Sequence, residues 1–276
     1  LSDIGVIPAD LREPFKRLFT QGMIRLDGSK MSKSKGNLVA PEAIIDTLGA
    51  DALRLSHLAV KPPEEDVDWE DFGLDGCHRF LQRVWRLAVP ESDLLYDLRE
   101  GELSPADLQI IRSTHHLIDD VTTQFERWSY NVAVARYMAF INEVYRYVQS
   151  GEGAHAQTIA TAIDTLLQVL APACPHMTAE LWSRRRQSSG DAGGTVTHVH
   201  TTPWPVADPD LLREESVTMV VQVNGKVRDR IEVAPDVSEV DAIAAALASE
   251  KVQSQVGGAE PKRIIARPPK LVNLVM

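Results

Sequence analysis

The sequence predicts a mainly α protein that ends in a small α+β domain. Apolar residues recur at helical spacing from about residue 73 to residue 186, and the period changes to two after about residue 215. A short strand, a turn and a lysine–serine loop before residue 40 mark a segment of a different kind at the start. A length of 276 residues suggests about two domains and is enough to bury a core.

Along the chain, Glu13-Pro14-Phe15 opens an amphipathic stretch with Phe15, Leu18 and Phe19 at helical spacing. Gly22 ends it, Met23-Ile24-Arg25-Leu26 reads as a short strand, and Asp27-Gly28 as a turn. The polar, basic run Ser29–Asn37 follows. Pro41 and Gly49 then bracket a helix, and a second spans about Ala50–Ala59, ended by Lys61-Pro62-Pro63. Phe80, Val84 and Leu87 form the first apolar stripe beyond residue 73. Ser104-Pro105-Ala106-Asp107 has the composition of a helix start. Behind it, Leu108, Ile111, His115, Ile118, Thr122 and Phe125 predict a second stripe, with His115 read as a core histidine. Val134, Tyr137, Ile141, Val144 and Val148 make a third, and Ile159, Ile163, Leu166 and Leu170 a fourth. Stripes joined by short polar links predict an antiparallel bundle.

Ser188-Ser189-Gly190 and Gly193-Gly194 mark a loop. The polar link near 187–215 predicts a terminal domain that moves relative to the helices. Val217, Met219, Val221 and Val223 alternate, Asn224-Gly225 signals a hairpin, and Val227, Asp229, Ile231 and Val233 continue one face of the return strand. Ser238 caps a helix, and an Ile264-Ile265 strand, a Pro268-Pro269 break and Leu271–Val275 complete an α+β unit. No internal repeat is visible.

Two lone cysteines, Cys77 and Cys174, are too few for a zinc site and suit small core positions in a reducing, cytoplasmic setting. No apolar run approaches the roughly 18 residues of a membrane span. The net charge of −10 argues weakly against nucleic-acid binding, although phosphate attraction depends on where cations cluster. Residue 1 is Leu, and the opening reads as the middle of a longer chain.

The run Lys30-Met31-Ser32-Lys33-Ser34 carries the sharpest chemistry. Lysines three apart on a mobile loop can close over neighbouring phosphate oxygens as charge builds on a leaving group, and serine hydroxyls add donors. The competing reading of the residues alone is a solvated linker. The loop's place between a strand end and a helix is where open α/β folds put phosphate chemistry.

The same five residues match the signature loop of class I aminoacyl-tRNA synthetases. The resemblance extends through Glu13-Pro14-Phe15, Leu18–Met23, Gly49–Arg54, Pro62–Asp66, His78–Leu87, Ala171-Pro172, Pro175-His176, Glu180–Trp182, Val223–Ile231 and Lys270–Asn273, in the order of leucyl-tRNA synthetases of bacterial type. It implies three regions: residues 1–72, the end of a Rossmann-type catalytic domain; 73–212, a helical-bundle anticodon-binding domain; and 213–276, a small tRNA-binding domain. It implies leucine activation by ATP with Mg2+ and transfer to tRNA(Leu), with Lys30 and Lys33 catalytic and Lys30–Ser34 holding ATP, in a cytoplasmic, monomeric enzyme. Alternatives are a tRNA-binding module without chemistry, or the same region of an isoleucyl, valyl or methionyl enzyme. The family's His-x-Gly-His signature does not occur, so the isolated chain is expected to be inactive. No metal site is expected in it.

Two cation sets are candidate tRNA contacts. Arg79, Arg83 and Arg86 share one helix face, as phosphate contacts or as a solvated face. Lys226, Arg228 and Arg230 alternate along a strand, so the spacing predicts that all three project to one side about 6.6–6.8 Å apart. The resemblance implies that this terminal domain meets the tRNA elbow. Arg184-Arg185-Arg186 reads rather as cations completing a helix dipole.

Overall fold

The computed structural model describes residues 1–11, 15, 17–90, 94, 96–188, 198–213 and 217–276, in two compact units, Leu1–Ala207 and Asp208–Met276. Glu13-Pro14, Ser189-Gly190 and Gly193-Gly194 lie outside the described residues, as does part of the 187–215 link.

The first unit opens with strand β1 (Ile24–Leu26) and β2 (Ser29–Lys30), joined by a tight turn in which Asp27 and Gly28 take φ of 50° and 69°. The Asp-Gly pair supplies this left-handed backbone with least strain. Two helices follow, α1 (Pro41–Leu48) and α2 (Ala50–Val60), separated at Gly49 with φ 88°. Strand β3 (Val67–Asp68) then lies parallel to β1 on the side away from β2. Two features set that pairing. A Cβ at Gly22 would lie 2.0 Å from the Glu65 carbonyl oxygen, and the Gly22 N–H donates to the Pro63 carbonyl at 2.9 Å. The Arg25 guanidinium grips both Asp68 carboxylate oxygens at 3.1 Å.

Residues 17–21 form no regular structure, contrary to the helical stretch expected there, and the strand expected from Met23 begins at Ile24. Phe15 and Leu18 are 88% and 86% exposed. An amphipathic helix draws its stability from burying its stripe, and this stripe finds no surface in the unit. Phe19 instead meets Trp128, ring centroids 4.6 Å apart.

Helix α3 (Leu74–Ala88) buries Phe80, Val84 and Leu87, as its spacing predicts. Strand β4 (Leu98–Arg99) leads to α4 (Pro105–Glu126), and α5 (Tyr130–Val148) returns. Strand β5 (Ala154–His155) pairs with β4, then α6 (Ala156–Leu170) and α7 (Pro175–Ser188) follow. The α5 and α6 stripes are buried as predicted, and one apolar core runs from Leu55 of α2 through α3–α7.

The α4 stripe is rotated from the expected one. Ile110, Thr114, Leu117, Ile118 and Val121 are buried, while Leu108 is 45% exposed and His115 only partly covered. The cause is Asp107, which is fully buried. Its carboxylate receives the Tyr147 hydroxyl, the Arg99 guanidinium, and the backbone N–H and hydroxyl of Ser104. Burial alone would raise its pKa, but these donors together hold the carboxyl well below the usual carboxylate range. Burial, with Asp107 alongside, pushes the Tyr147 phenol up to about 12. Ser104 and Asp107 also complete a reciprocal capping box, so one acid both starts α4 and occupies its core face.

In the second unit, β6 (Val217–Val223) and β7 (Lys226–Val233) form a hairpin through Asn224 and Gly225, with φ of 51° and 76°. Helices α8 (Glu239–Ala248) and α9 (Glu250–Val256) follow, each capped by a serine, Ser238 and Ser249. Strands β8 (Arg263–Arg267) and β9 (Leu271–Val275) complete a sheet of order β7-β6-β9-β8, with β6 and β9 parallel. Met219, Val221, Val223, Val272 and Leu274 are buried against Ala242, Ala246 and Val252 of the two helices. Asp229 accepts from the Ser249 hydroxyl at 2.6 Å and Lys251 at 2.9 Å, bonds that hold its carboxyl down to about 2 and tie β7 to the start of α9.

Candidate functional site

The lysine–serine loop leaves the sheet at Lys30, the last residue of β2. Lys33–Lys35 make a 3-10 turn, closed by Gly36 with φ 67°, whose N–H donates to the Lys33 carbonyl at 3.2 Å. Asn37 pins the loop from inside. Its Oδ1 accepts the Ser32 N–H at 2.9 Å, and its amide donates to the Lys30 carbonyl at 3.3 Å. The Ser32 and Ser34 hydroxyls lie 3.2 Å apart. Met31 and Ser32 are half-buried, whereas Lys30, Lys33, Ser34 and Lys35 are exposed. Backbone and Asn37 therefore fix the loop's shape, while its ammonium groups reach solvent on flexible stems. Such point charges suit a mobile polyanion. Sequence reasoning missed Asn37; the signal was there, since asparagine in turns bonds nearby backbone.

A second set of contacts joins motifs that are far apart in sequence. Asp51, at the start of α2, is 7% exposed. Its carboxylate accepts the Met177 N–H at 2.7 Å and lies 2.8 Å from His176 Nδ1, so it caps α7. One turn on, Arg54 donates to the Ala173 carbonyl at 3.1 Å and the Pro172 carbonyl at 3.0 Å. The Gly49–Arg54 and Ala171–His176 stretches are thus two halves of one clamp. Beside it, Leu48, Ala52, His78, Leu81, Trp85 and Met177 line a cavity of about 340 Å3.

The candidate arginines of α3 differ in environment. Arg79 is exposed. Arg83 donates to Asn142 Oδ1 at 2.8 Å and lies over the Tyr145 ring, 4.7 Å from its centroid, so it braces α3 against α5. Arg86 is exposed. On α7, Arg184 pairs with Glu180, and Arg185 and Arg186 share Asp164, each at 2.7–2.8 Å. These three are committed to carboxylates rather than only to the helix end.

In the terminal sheet, Lys226, Arg228 and Arg230 are all exposed but do not share one side. A bulge shifts the β6–β7 register between Val221 and Gln222: Val221 faces Asp229, and Gln222 faces Val227, leaving Arg228 as the extra residue. Arg230 sits opposite Val220, and Lys226 opposite the buried Val223. One inserted residue reverses the alternation, so the sequence parity fails between Arg230 and Lys226. The same bulge takes Val227, 48% exposed, off the face that Ile231 and Val233 share.

Among the described residues, no group of three His, Cys, Asp or Glu side chains could hold a metal ion, and no helix is long and apolar enough to cross a membrane.

Residues 6–70 match the family model of class I tRNA synthetases (I, L, M and V), and residues 107–244, half of the chain, match that of the anticodon-binding domain of tRNA ligase. The whole chain is similar to leucine--tRNA ligases: 36% identical to that of Symbiobacterium thermophilum, 38% to that of Geobacter sp. strain M21 and 40% to that of Geotalea uraniireducens. It spans 33–35% of the length of these curated relatives. Among solved structures, it is similar to the Agrobacterium radiobacter K84 agnB2 LeuRS in a ternary complex with tRNA and LeuAMS. That likeness covers 99% of this chain and 35% of the other, at 30% identity and a TM-score of 0.74.

Proposed function

The chain belongs to the family of the anticodon-binding domain of tRNA ligases, and from that premise we propose that it is part of a leucine--tRNA ligase. The whole enzyme activates leucine with ATP, releasing pyrophosphate, and transfers it to tRNA(Leu). This chain contributes the signature loop and tRNA-binding regions. Residues 1–72 end the catalytic domain, 73–212 form an antiparallel bundle that takes tRNA, and 213–276 form a small tRNA-binding domain.

The observation that carries this reading is the loop at 30–37, whose backbone is pinned by Asn37 while Lys30 and Lys33 stay in solvent. A loop of fixed outline with unspent cations can close over the triphosphate. Lys30 and Lys33 then meet charge that develops as pyrophosphate departs, and Ser32 and Ser34 donate to phosphate oxygens. A well-placed donor of this kind contributes about 3 kcal/mol to the transition state. Magnesium arrives with ATP as part of the substrate. Arg79 and Arg86 on α3, and Lys226, Arg228 and Arg230 on β7, are offered to the tRNA backbone; Arg83 contributes mainly through its hold on α5. The enzyme acts in the cytoplasm as a monomer.

The test is leucine-dependent ATP–pyrophosphate exchange by the full-length enzyme. Neutralising Lys30 and Lys33 together is expected to slow exchange severely without unfolding the protein; unchanged exchange would refute the assignment. The isolated chain, without the His-x-Gly-His signature, is expected to bind tRNA but show no exchange. Turnover by the isolated chain would contradict that.

A further inference from the structure

We propose that Trp128 is a positioning residue for the lysine–serine loop: its ring, presented from the α4–α5 turn, seats Phe19 and so fixes the segment that enters β1 against the helical bundle. The proposal rests on the reading of the loop given above. It adds a residue, distant in sequence, on which the loop's placement depends.

The turn is of a kind that ordinarily takes glycine. Helix α4 ends at Glu126, and the chain closes behind it. The Ser129 N–H donates to the Gln124 carbonyl at 2.9 Å, and the Trp128 N–H to the Phe125 carbonyl at 3.2 Å. This paired closure puts the residue after the cap in the left-handed region, where glycine is the usual occupant. Here that residue is Trp128, with φ 63°. A bulky side chain in that region is strained, and such strain persists where the surroundings use the side chain.

That use is visible on both sides of the ring. Towards the loop, the Trp128 and Phe19 ring centroids lie 4.6 Å apart. Among residues 17–21, Phe19 alone is covered; Arg17, Leu18, Thr20 and Gln21 are exposed. The next residues fasten β1: Gly22 donates to the Pro63 carbonyl at 2.9 Å and Met23 to Asp66 Oδ1 at 2.8 Å. Towards the bundle, Trp128 lies 6.3 Å from Tyr130, Tyr130 packs edge-on against Phe125 at 5.3 Å, and Phe125 reaches Trp204 at 6.4 Å. The Trp204 indole N–H donates to Thr122 Oγ1 on α4 at 2.8 Å. Trp128 is thus the outer end of an aromatic row rooted in the bundle. It stays 45% exposed, but a turn that served only to offer an indole to a nucleobase would gain nothing from Phe19.

The first measurement is amide hydrogen exchange on the whole chain. In W128G, glycine takes the left-handed backbone freely, which offsets the lost ring contact, so the urea midpoint is expected close to the wild type's. Exchange at Gly22, Met23 and residues 24–32 is expected to quicken about five-fold. F19A, which leaves the turn alone, is expected to do the same, and F19A/W128G to go no further than either. In the full-length enzyme, W128G is expected to lower kcat of pyrophosphate exchange about ten-fold, with the KM for leucine unchanged, and W128F to recover most of the loss. Unchanged protection of residues 22–32 in W128G, or effects of F19A and W128G that add in full, would overturn the proposal. So would weaker binding of a tRNA(Leu) transcript with protection intact, which would make Trp128 a base-stacking residue. No exchange activity in the wild-type full-length enzyme would sink the reading of the loop, while the protection data decide the Phe19–Trp128 fastening by themselves.

Discussion

The loop at 30–37 and the cluster around Asp107 both concentrate charge, and they use it in opposite ways. At Asp107 both carboxylate oxygens accept from donors of Tyr147, Arg99 and Ser104, and the carboxylate is fully buried. In the loop, hydrogen bonds are spent on the backbone, and Lys30 and Lys33 remain in solvent. Charge that is consumed internally builds architecture, whereas charge left over is available to a ligand. Residue type alone does not separate the two; what each side chain already touches does.

The sharpest break of this contrast is the double substitution of Lys30 and Lys33 by Ala in the full-length enzyme. Pyrophosphate exchange is expected to fall at least about 1,000-fold, roughly 4 kcal/mol, with the urea midpoint unchanged. A shifted midpoint would place these lysines with the architectural charges.

Asp107→Ala is the mirror case. It leaves Arg99 and Tyr147 without their shared partner and is expected to cost about 3 kcal/mol of unfolding free energy, measured by urea denaturation. The pH dependence follows from the depressed folded pKa. The folded state binds this proton less readily than the unfolded chain, so the stabilisation is present above about pH 4 and is lost as pH falls below it. Between about pH 5 and 3 the wild type should lose more stability than Asp107→Ala. Parallel curves would remove the carboxylate from the account.

Asp51→Ala comes next, since it uncaps α7 and releases His176; about 1–2 kcal/mol is expected, by the same measurement. The smallest effect belongs to α3. Arg79→Ala is expected to weaken tRNA binding a few-fold and leave stability unchanged, whereas Arg83→Ala, which removes the Asn142 and Tyr145 contacts, should lower stability as well. Equal effects of the two on both readouts would erase the distinction drawn between them.

Much of this was legible in the sequence where one face decides the matter. Phe80, Val84 and Leu87, and the stripe from Val134 to Val148, are buried as their spacing requires, because each lies on a helix whose core face is dominated by apolar side chains, with no charged residue among them. The α4 stripe was misphased because a polar residue, Asp107, occupies the core face, and its partners Arg99 and Tyr147 come from separate elements. The parity of Lys226, Arg228 and Arg230 failed at a bulge that their residue types do not announce. The five-residue loop was readable verbatim, but its pin, Asn37, and the pairing of Asp51 with the α7 start depend on folding.

Gly22 has a mechanical consequence. Without a side chain, Gly22 lets the chain before β1 lie against the Glu65 carbonyl, where even a methyl group would collide, and drawing it away would break the Gly22–Pro63 hydrogen bond and the Arg25–Asp68 grip. Each flank of β1 is paired through two residue pairs, Arg25 with Lys30 and Leu26 with Ser29 on the β2 side, Ile24 with Val67 and Arg25 with Asp68 on the β3 side, and the β3 side adds the bonds just named. The extra bonds all lie on the β3 side, so the strand that carries the lysine loop is tied more firmly behind than in front.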